Sequence, residues 1–147
     1  MKKTIELGEG IGGKLLFGSR FEDVRKILGE PDQIENSQLE EGGGDTVAWV
    51  YNKHGLTLYF DEEDEWRLGT IEADAKDCTL NGEKLIGRSF SELKKVLESM
   101  KIGKIEEELD AHDDFDDVEM RLLYSEENCI NIWFEDDICS VVQWSPF

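Results

Sequence analysis

The chain has 147 residues, with 35 acidic against 16 basic side chains and a formal net charge of −19. That charge repels phosphate backbones and anionic lipid surfaces, so neither nucleic acid nor membrane is expected as a partner. Ordinary apolar content (39%) argues against disorder, and a chain this long buries about 70% of its unfolded surface, enough for one core without staples.

The N-terminal stretch 1–8 holds two lysines but no apolar leader segment, and no run reaches membrane-spanning length. Cys78, Cys129 and Cys139 form an odd set without metal-ligand spacing, and Cys129 and Cys139 read as small buried hydrophobes in strand-like runs. The expectation is a reduced, cytoplasmic protein. The run 8–14 fits both G-x-G-x-x-G and G-x-x-x-x-G-K, patterns that hold phosphate only when a long helix starts at the last glycine. Here three apolar residues run into Gly18, and Leu15 stands where magnesium would need a hydroxyl. A hairpin or edge loop is the reading.

A first helix follows, with Phe21, Val24, Ile27 and Leu28 on one face, closed by Gly29 and Pro31. Strands are expected near 32–36 and over 47–51, 56–60 and 66–73, with the glycines at 42–44 as a loop tip. A second helix begins at Ser89 with Glu92 as a capping box, and carries Phe90, Leu93, Val96 and Leu97 on one face. Strands are then expected near 104–109 and over 120–124, 130–134 and 138–144, with a loop tip at 111–114.

The two halves match in detail. The segment 16–28 returns as 85–97, with identical residues at Leu16/Leu85, Gly18/Gly87, Phe21/Phe90, Lys26/Lys95 and Leu28/Leu97. The segment 56–61 returns as 130–135. Such a repeat implies one supersecondary unit used twice. The expected fold is α+β: a single domain, 1–147, of two tandem helix-plus-four-strand repeats (about 1–76 and 77–147). These form one curved antiparallel sheet with helices on one face.

Strand alternation turns Leu56, Leu58, Phe60, Ile130, Ile132 and Phe134 towards the helices, and Thr57, Tyr59, Asn131 and Trp133 away from them. Tyr59 and Trp133 are then either a contact surface or covered by loops or a second copy. The stretch 105–119 holds nine carboxylates and no base. Asp110, Asp114 and Asp116 have calcium-loop spacing, but His112, Phe115 and Arg121 occupy positions that such a loop needs for other residues. This stretch reads as a solvated acidic loop or a docking surface, as does the charged tip 61–65. The only histidines are His54 and His112, and no nucleophile elbow is present, so catalysis finds no support and no cofactor or metal is expected.

The pattern Gly18-x-x-x-x-Asp23-Val24-x-x-x-Leu28-Gly29-x-Pro31, then Trp49-x-Tyr51 and Leu56-x-Leu58-x-Phe60, resembles the small domain of the SmpA/OmlA outer-membrane lipoproteins. The duplication resembles the tandem-repeat β-lactamase inhibitory protein family. That resemblance implies helices on one face of a long curved sheet whose open, aromatic-rich face grips a partner protein. In the second half Gly87, Glu92, Leu93 and Leu97 keep the pattern, whereas Glu98-Ser99 replaces its Gly-x-Pro ending. Arg20 stands where the family has a capping Ser or Thr. Both relatives are exported and the inhibitor uses disulfides, so a two-repeat, protein-binding saddle carries over, and neither lactamase inhibition nor outer-membrane assembly does.

The functional expectation is a non-catalytic protein-binding module, an immunity protein or inhibitor of a basic toxin or enzyme, as monomer or homodimer. Trp49, Tyr59, Asn131 and Trp133 with Asp61, Glu62, Glu63 and Asp64 are the expected contact residues. The alternatives are a small-molecule or divalent-metal-binding domain and a structural dimerisation unit.

Overall fold

The computed structural model of the protein describes residues 2–38, 45–109 and 120–147. The chain opens with β1 (Ile5–Glu6), β2 (Gly10–Ile11) and β3 (Leu15–Leu16), which pair in order as a small antiparallel sheet. The glycine-rich run supplies its turns, and a side chain at Gly10 would collide with the Leu15 carbonyl. Helix α1 (Phe21–Leu28) is started by the Asp23 carboxylate, which accepts from the Arg20 N–H at 3.1 Å, and is closed by Gly29 at φ 80°. A meander follows: β4 (Gln33–Gln38), β5 (Asp45–Tyr51), β6 (Leu56–Asp61) and β7 (Arg67–Ala73), with a 3-10 turn at Glu62–Asp64.

The hairpin β8 (Thr79–Leu80) and β9 (Glu83–Lys84) then leads to α2 (Phe90–Ser99), whose Ser89 hydroxyl accepts from the Glu92 N–H at 3.3 Å. A second meander closes the chain: β10 (Glu106–Leu109), β11 (Met120–Ser125), β12 (Ile130–Glu135) and β13 (Ile138–Trp144). The two meanders join into one eight-stranded antiparallel sheet, in the order β10-β11-β12-β13-β7-β6-β5-β4. The seam is three residue pairs long: Val142 with Ala73, Gln143 with Glu72, and Trp144 with Ile71. The architecture is α+β.

Both helices lie on one face of the sheet. Leu56, Leu58, Phe60, Ile130, Ile132 and Phe134 point to that face and are buried, as their alternation requires. Phe21 of α1 sits 4.9 Å from Trp49 and 4.6 Å from Phe60, and Phe90 of α2 sits 5.1 Å from Phe134. Trp144 is fully buried at the seam and donates its indole N–H to the Gly10 carbonyl at 3.0 Å, tying the small sheet to the large one. The buried side chains of both meanders form one contiguous cluster.

Two expectations change here. Ile27 is 36% exposed: in a helix of eight residues Phe21, Val24 and Leu28 fill the narrow stripe facing the sheet, which leaves Ile27 on its flank. Cys129 is not in a strand. It occupies the β11–β12 turn at φ 50°, half-buried, with its thiol towards the Glu126 carbonyl. The loop tips at 42–44 and 111–114, and most of the acidic stretch 105–119, lie outside the described residues.

Candidate protein-binding face

Residues opposite one another across antiparallel strands share a face, so the registers place the described strand residues on the helix-free side. Across β5–β6–β7 these are Thr46, Ala48, Val50, Thr57, Tyr59, Asp61, Arg67, Thr70 and Glu72. Across β13–β12–β11 they are Ile138, Val141, Gln143, Asn131, Trp133, Glu135, Met120, Leu122 and Tyr124. The edge strands add Gln33 and Glu35 on β4, and Glu106 and Glu108 on β10.

Tyr59, Asn131 and Trp133 therefore share this face, half-buried. Three strand steps separate Trp133 from Tyr59, about 14 Å at ordinary strand spacing. The Tyr59 hydroxyl donates to Glu72 Oε2 at 2.8 Å. Burial first, and then that hydrogen bond, push its phenol well above the ordinary tyrosine range. Tyr124 is raised in the same way, by partial burial and then by the Glu106 carboxylate. Each raised phenol stays neutral beside its neighbouring carboxylate.

Trp49 is a correction. Its partner across the ladder is Leu58, so it faces the helices; it is 3% exposed, stacked on Phe21, with the Arg25 guanidinium 5.0 Å from its ring centroid. It belongs to the core and not to a contact surface. Asp61 ends β6 on the open face and accepts from the Thr46 hydroxyl at 2.7 Å. Glu62 turns back to accept from the Asp45 N–H at 3.1 Å, while Glu63 and Asp64 are exposed at the hairpin tip.

Sequence reasoning missed the rest of the face: Met120, Leu122, Tyr124, Ile138 and Val141. The signal was the alternation of Met120, Leu122 and Tyr124 along β11, which became readable only once Leu122 was known to sit opposite Trp133. Among the described residues whose registers place them here, six are carboxylates (Glu35, Asp61, Glu72, Glu106, Glu108, Glu135) and one is basic, Arg67. Arg121 turns to the helix side, 4.0 Å over the Phe90 ring and 3.0 Å from Asp137. The face thus carries aromatic and apolar side chains among mostly anionic ones, which favours a cationic protein surface.

A groove of about 730 Å³ lies to one side, between β3, the start of β7 and the C-terminal residues; Leu16, Phe17, Leu68, Asp64, Arg67 and Pro146 line it. Among the described residues no group of three or more His, Cys, Asp or Glu side chains is placed to hold a metal ion. No described helix is long and apolar enough to cross a membrane.

No protein-family model matches the chain, and no curated protein matches it. Its fold is similar to part of an extracellular protein containing an SCP domain from Bacillus anthracis str. Ames, with a TM-score of 0.51 at 16% identity. The match covers 88% of this chain and 43% of that one, so the chain spans less than half of that protein.

Proposed function

We propose that the protein is a non-catalytic binding module that captures a basic protein through the helix-free face of its sheet, as an immunity protein or inhibitor would. The observation that carries the reading is the face itself, on which half-buried Tyr59 and Trp133 stand among six carboxylates and one arginine, with Glu72 on the strand between them. Aromatic side chains in partly dry surroundings supply most of the energy at protein interfaces, and charge around them speeds encounter and selects partners.

The same proposal reads the architecture as two tandem repeats, in line with the resemblance to the β-lactamase inhibitory protein family. Matching geometry supports it. Gly18 and Gly87 both have φ 89°, and they donate at 2.9 Å to the carbonyls of Leu68 and Cys139. Those residues donate back at 2.8 Å to Ser19 and Arg88. Each meander also carries a bulge at the same place, Gly69 after Leu68 and Ser140 after Cys139. Three free thiols, two of them buried, suit a reducing cytoplasm.

The test is capture from the source lysate at low and moderate salt, with the Tyr59→Ala/Trp133→Ala double variant alongside. The reading expects a basic protein, held more weakly as salt rises and lost from the double variant while its circular dichroism is unchanged. Capture that survives the double substitution removes this face from the proposal. The groove beside β3 favours a second reading, a small-molecule site. Ligand-induced shifts confined to Leu16, Phe17 and Leu68 in a fragment screen would support that reading.

A further inference from the structure

Resting on the proposed capture of a basic protein, we infer that the binding energy is concentrated on the β11–β13 half of the face. The occupant is a segment of a protein partner that seats large apolar side chains there and places a lysine or arginine at each end of them. The two halves of the face differ position by position. Opposite Tyr59 on β7 stands Thr70, whereas opposite Trp133 on β13 stands Val141. Opposite Tyr59 on β5 stands Ala48, whereas opposite Trp133 on β11 stands Leu122. At the near end Arg67 faces Asp61, whereas Ile138, 45% exposed, faces Glu135. The β11–β13 half is therefore apolar along the row of Leu122 (8% exposed), Trp133 and Val141, with Met120 and Ile138 on either side of Glu135 at the next outward-facing position, and the β5–β7 half is mostly polar.

Carboxylates stand on both sides of that apolar island: Glu108 on β10 lies opposite Leu122, and Glu72 on β7 lies opposite Gln143, at the outward-facing position next to Val141. Four strand steps separate β10 from β7, about 19 Å, which an extended segment crosses in about six residues. Side chains of an extended segment alternate, so cations at its first and seventh positions face the sheet together with anchors at its third and fifth. This is the dry centre and charged rim of a protein interface, compressed into one crossing segment.

The probe is a seven-residue peptide with lysine at both ends, leucine and tryptophan at positions three and five, and threonine between them. One control replaces both lysines with glutamate, and a second replaces both anchors with serine. Amide spectra of the ¹⁵N-labelled full chain are recorded through the titration. The expected shifts centre on Leu122, Trp133, Ile138 and Val141, with neither control binding. Trp133→Ala weakens the affinity about thirtyfold, as loss of a hot-spot anchor does, and Tyr59→Ala by less than about threefold. Val141→Ser, a milder change in the same patch, weakens it as well, which keeps the result readable if Trp133→Ala disturbs the fold. Glu72→Gln with Glu108→Gln flattens the salt dependence. Binding of the serine control as tightly as the probe, or shifts centred on Thr57 and Tyr59, overturns this inference and leaves the capture reading standing. Shifts on α1 or α2, or none with the peptide at about a millimolar, overturn both.

Discussion

Trp144→Phe tests whether the two meanders fold as one unit. Trp144 is fully buried beside Ile71 at the three-pair seam, and its indole N–H is bonded to the Gly10 carbonyl of the small sheet. Phenylalanine keeps an apolar ring but removes that donor, at a cost of about 1 kcal/mol for the hydrogen bond. The smaller ring leaves a void of roughly 40 Å³, which costs about 1 kcal/mol more at some 24 cal/mol per Å³. A total near 2 kcal/mol lowers Tm by roughly 4–8 °C in a domain of this size. It moves the urea midpoint by about 1 M with an unchanged slope. Urea unfolding followed in parallel by circular dichroism and tryptophan fluorescence is the assay. A loss under about 0.5 kcal/mol would mean that the seam does not rely on this side chain. Separate transitions by the two probes would mean that the meanders unfold independently, which refutes the single-core reasoning.

All three tyrosines are held neutral. Burial, followed by the Glu30 carboxylate, pushes the Tyr51 phenol up to about 12, and Tyr59 and Tyr124 are raised too. A raised folded pKa contributes stability that is present below the unfolded value near 10 and lost as pH climbs through the folded ones. At about pH 10 the native protein should show clearly less tyrosinate absorbance than the urea-unfolded chain, which is about half ionised there, and the urea midpoint should fall above that pH. Equal ionisation in the two states would contradict the burial of these hydroxyls. Burial likewise pushes the Cys78 and Cys139 thiols up to about 12, whereas Cys129 is half-buried in its turn. A chromogenic disulfide reagent should titrate one thiol promptly in the native protein and all three after unfolding, and a Cys129→Ser variant should lose the prompt one.

Where side chains alternate cleanly, the fold was legible before any coordinates. Leu56-Thr57-Leu58-Tyr59-Phe60 and Ile130-Asn131-Ile132-Trp133-Phe134 each assign their own faces, and the structure agrees at every one of these positions. Trp49 was illegible for a physical reason. The run Val47-Ala48-Trp49-Val50-Tyr51 is apolar on both faces, so periodicity cannot choose between them, and only the pairing of Trp49 with Leu58 decides. The two-residue strands β1–β3, β8 and β9 are too short to carry a period. The seam has no local signal either, because Ile71 and Trp144 are far apart in the chain and meet through the sheet alone. The candidate face was half legible: its aromatic positions followed from alternation, but its apolar island required the register of β11.

The bulges at Gly69 and Ser140 act as phase shifters. Past each extra residue, odd and even positions exchange sides of the pleat, which is why Leu68 and Cys139 go inward while Arg67 and Ile138 go outward. Deleting Gly69 alone would restore an unbroken ladder with Leu68 still opposite Phe60 and Arg67 still opposite Asp61, so both faces would be kept and only the local bend and added twist would be lost. A one-residue deletion elsewhere in these two strands would instead turn the side chains on one side of it to the wrong face. The bulge is thus the one place in either strand where a single residue can be lost without exchanging the faces.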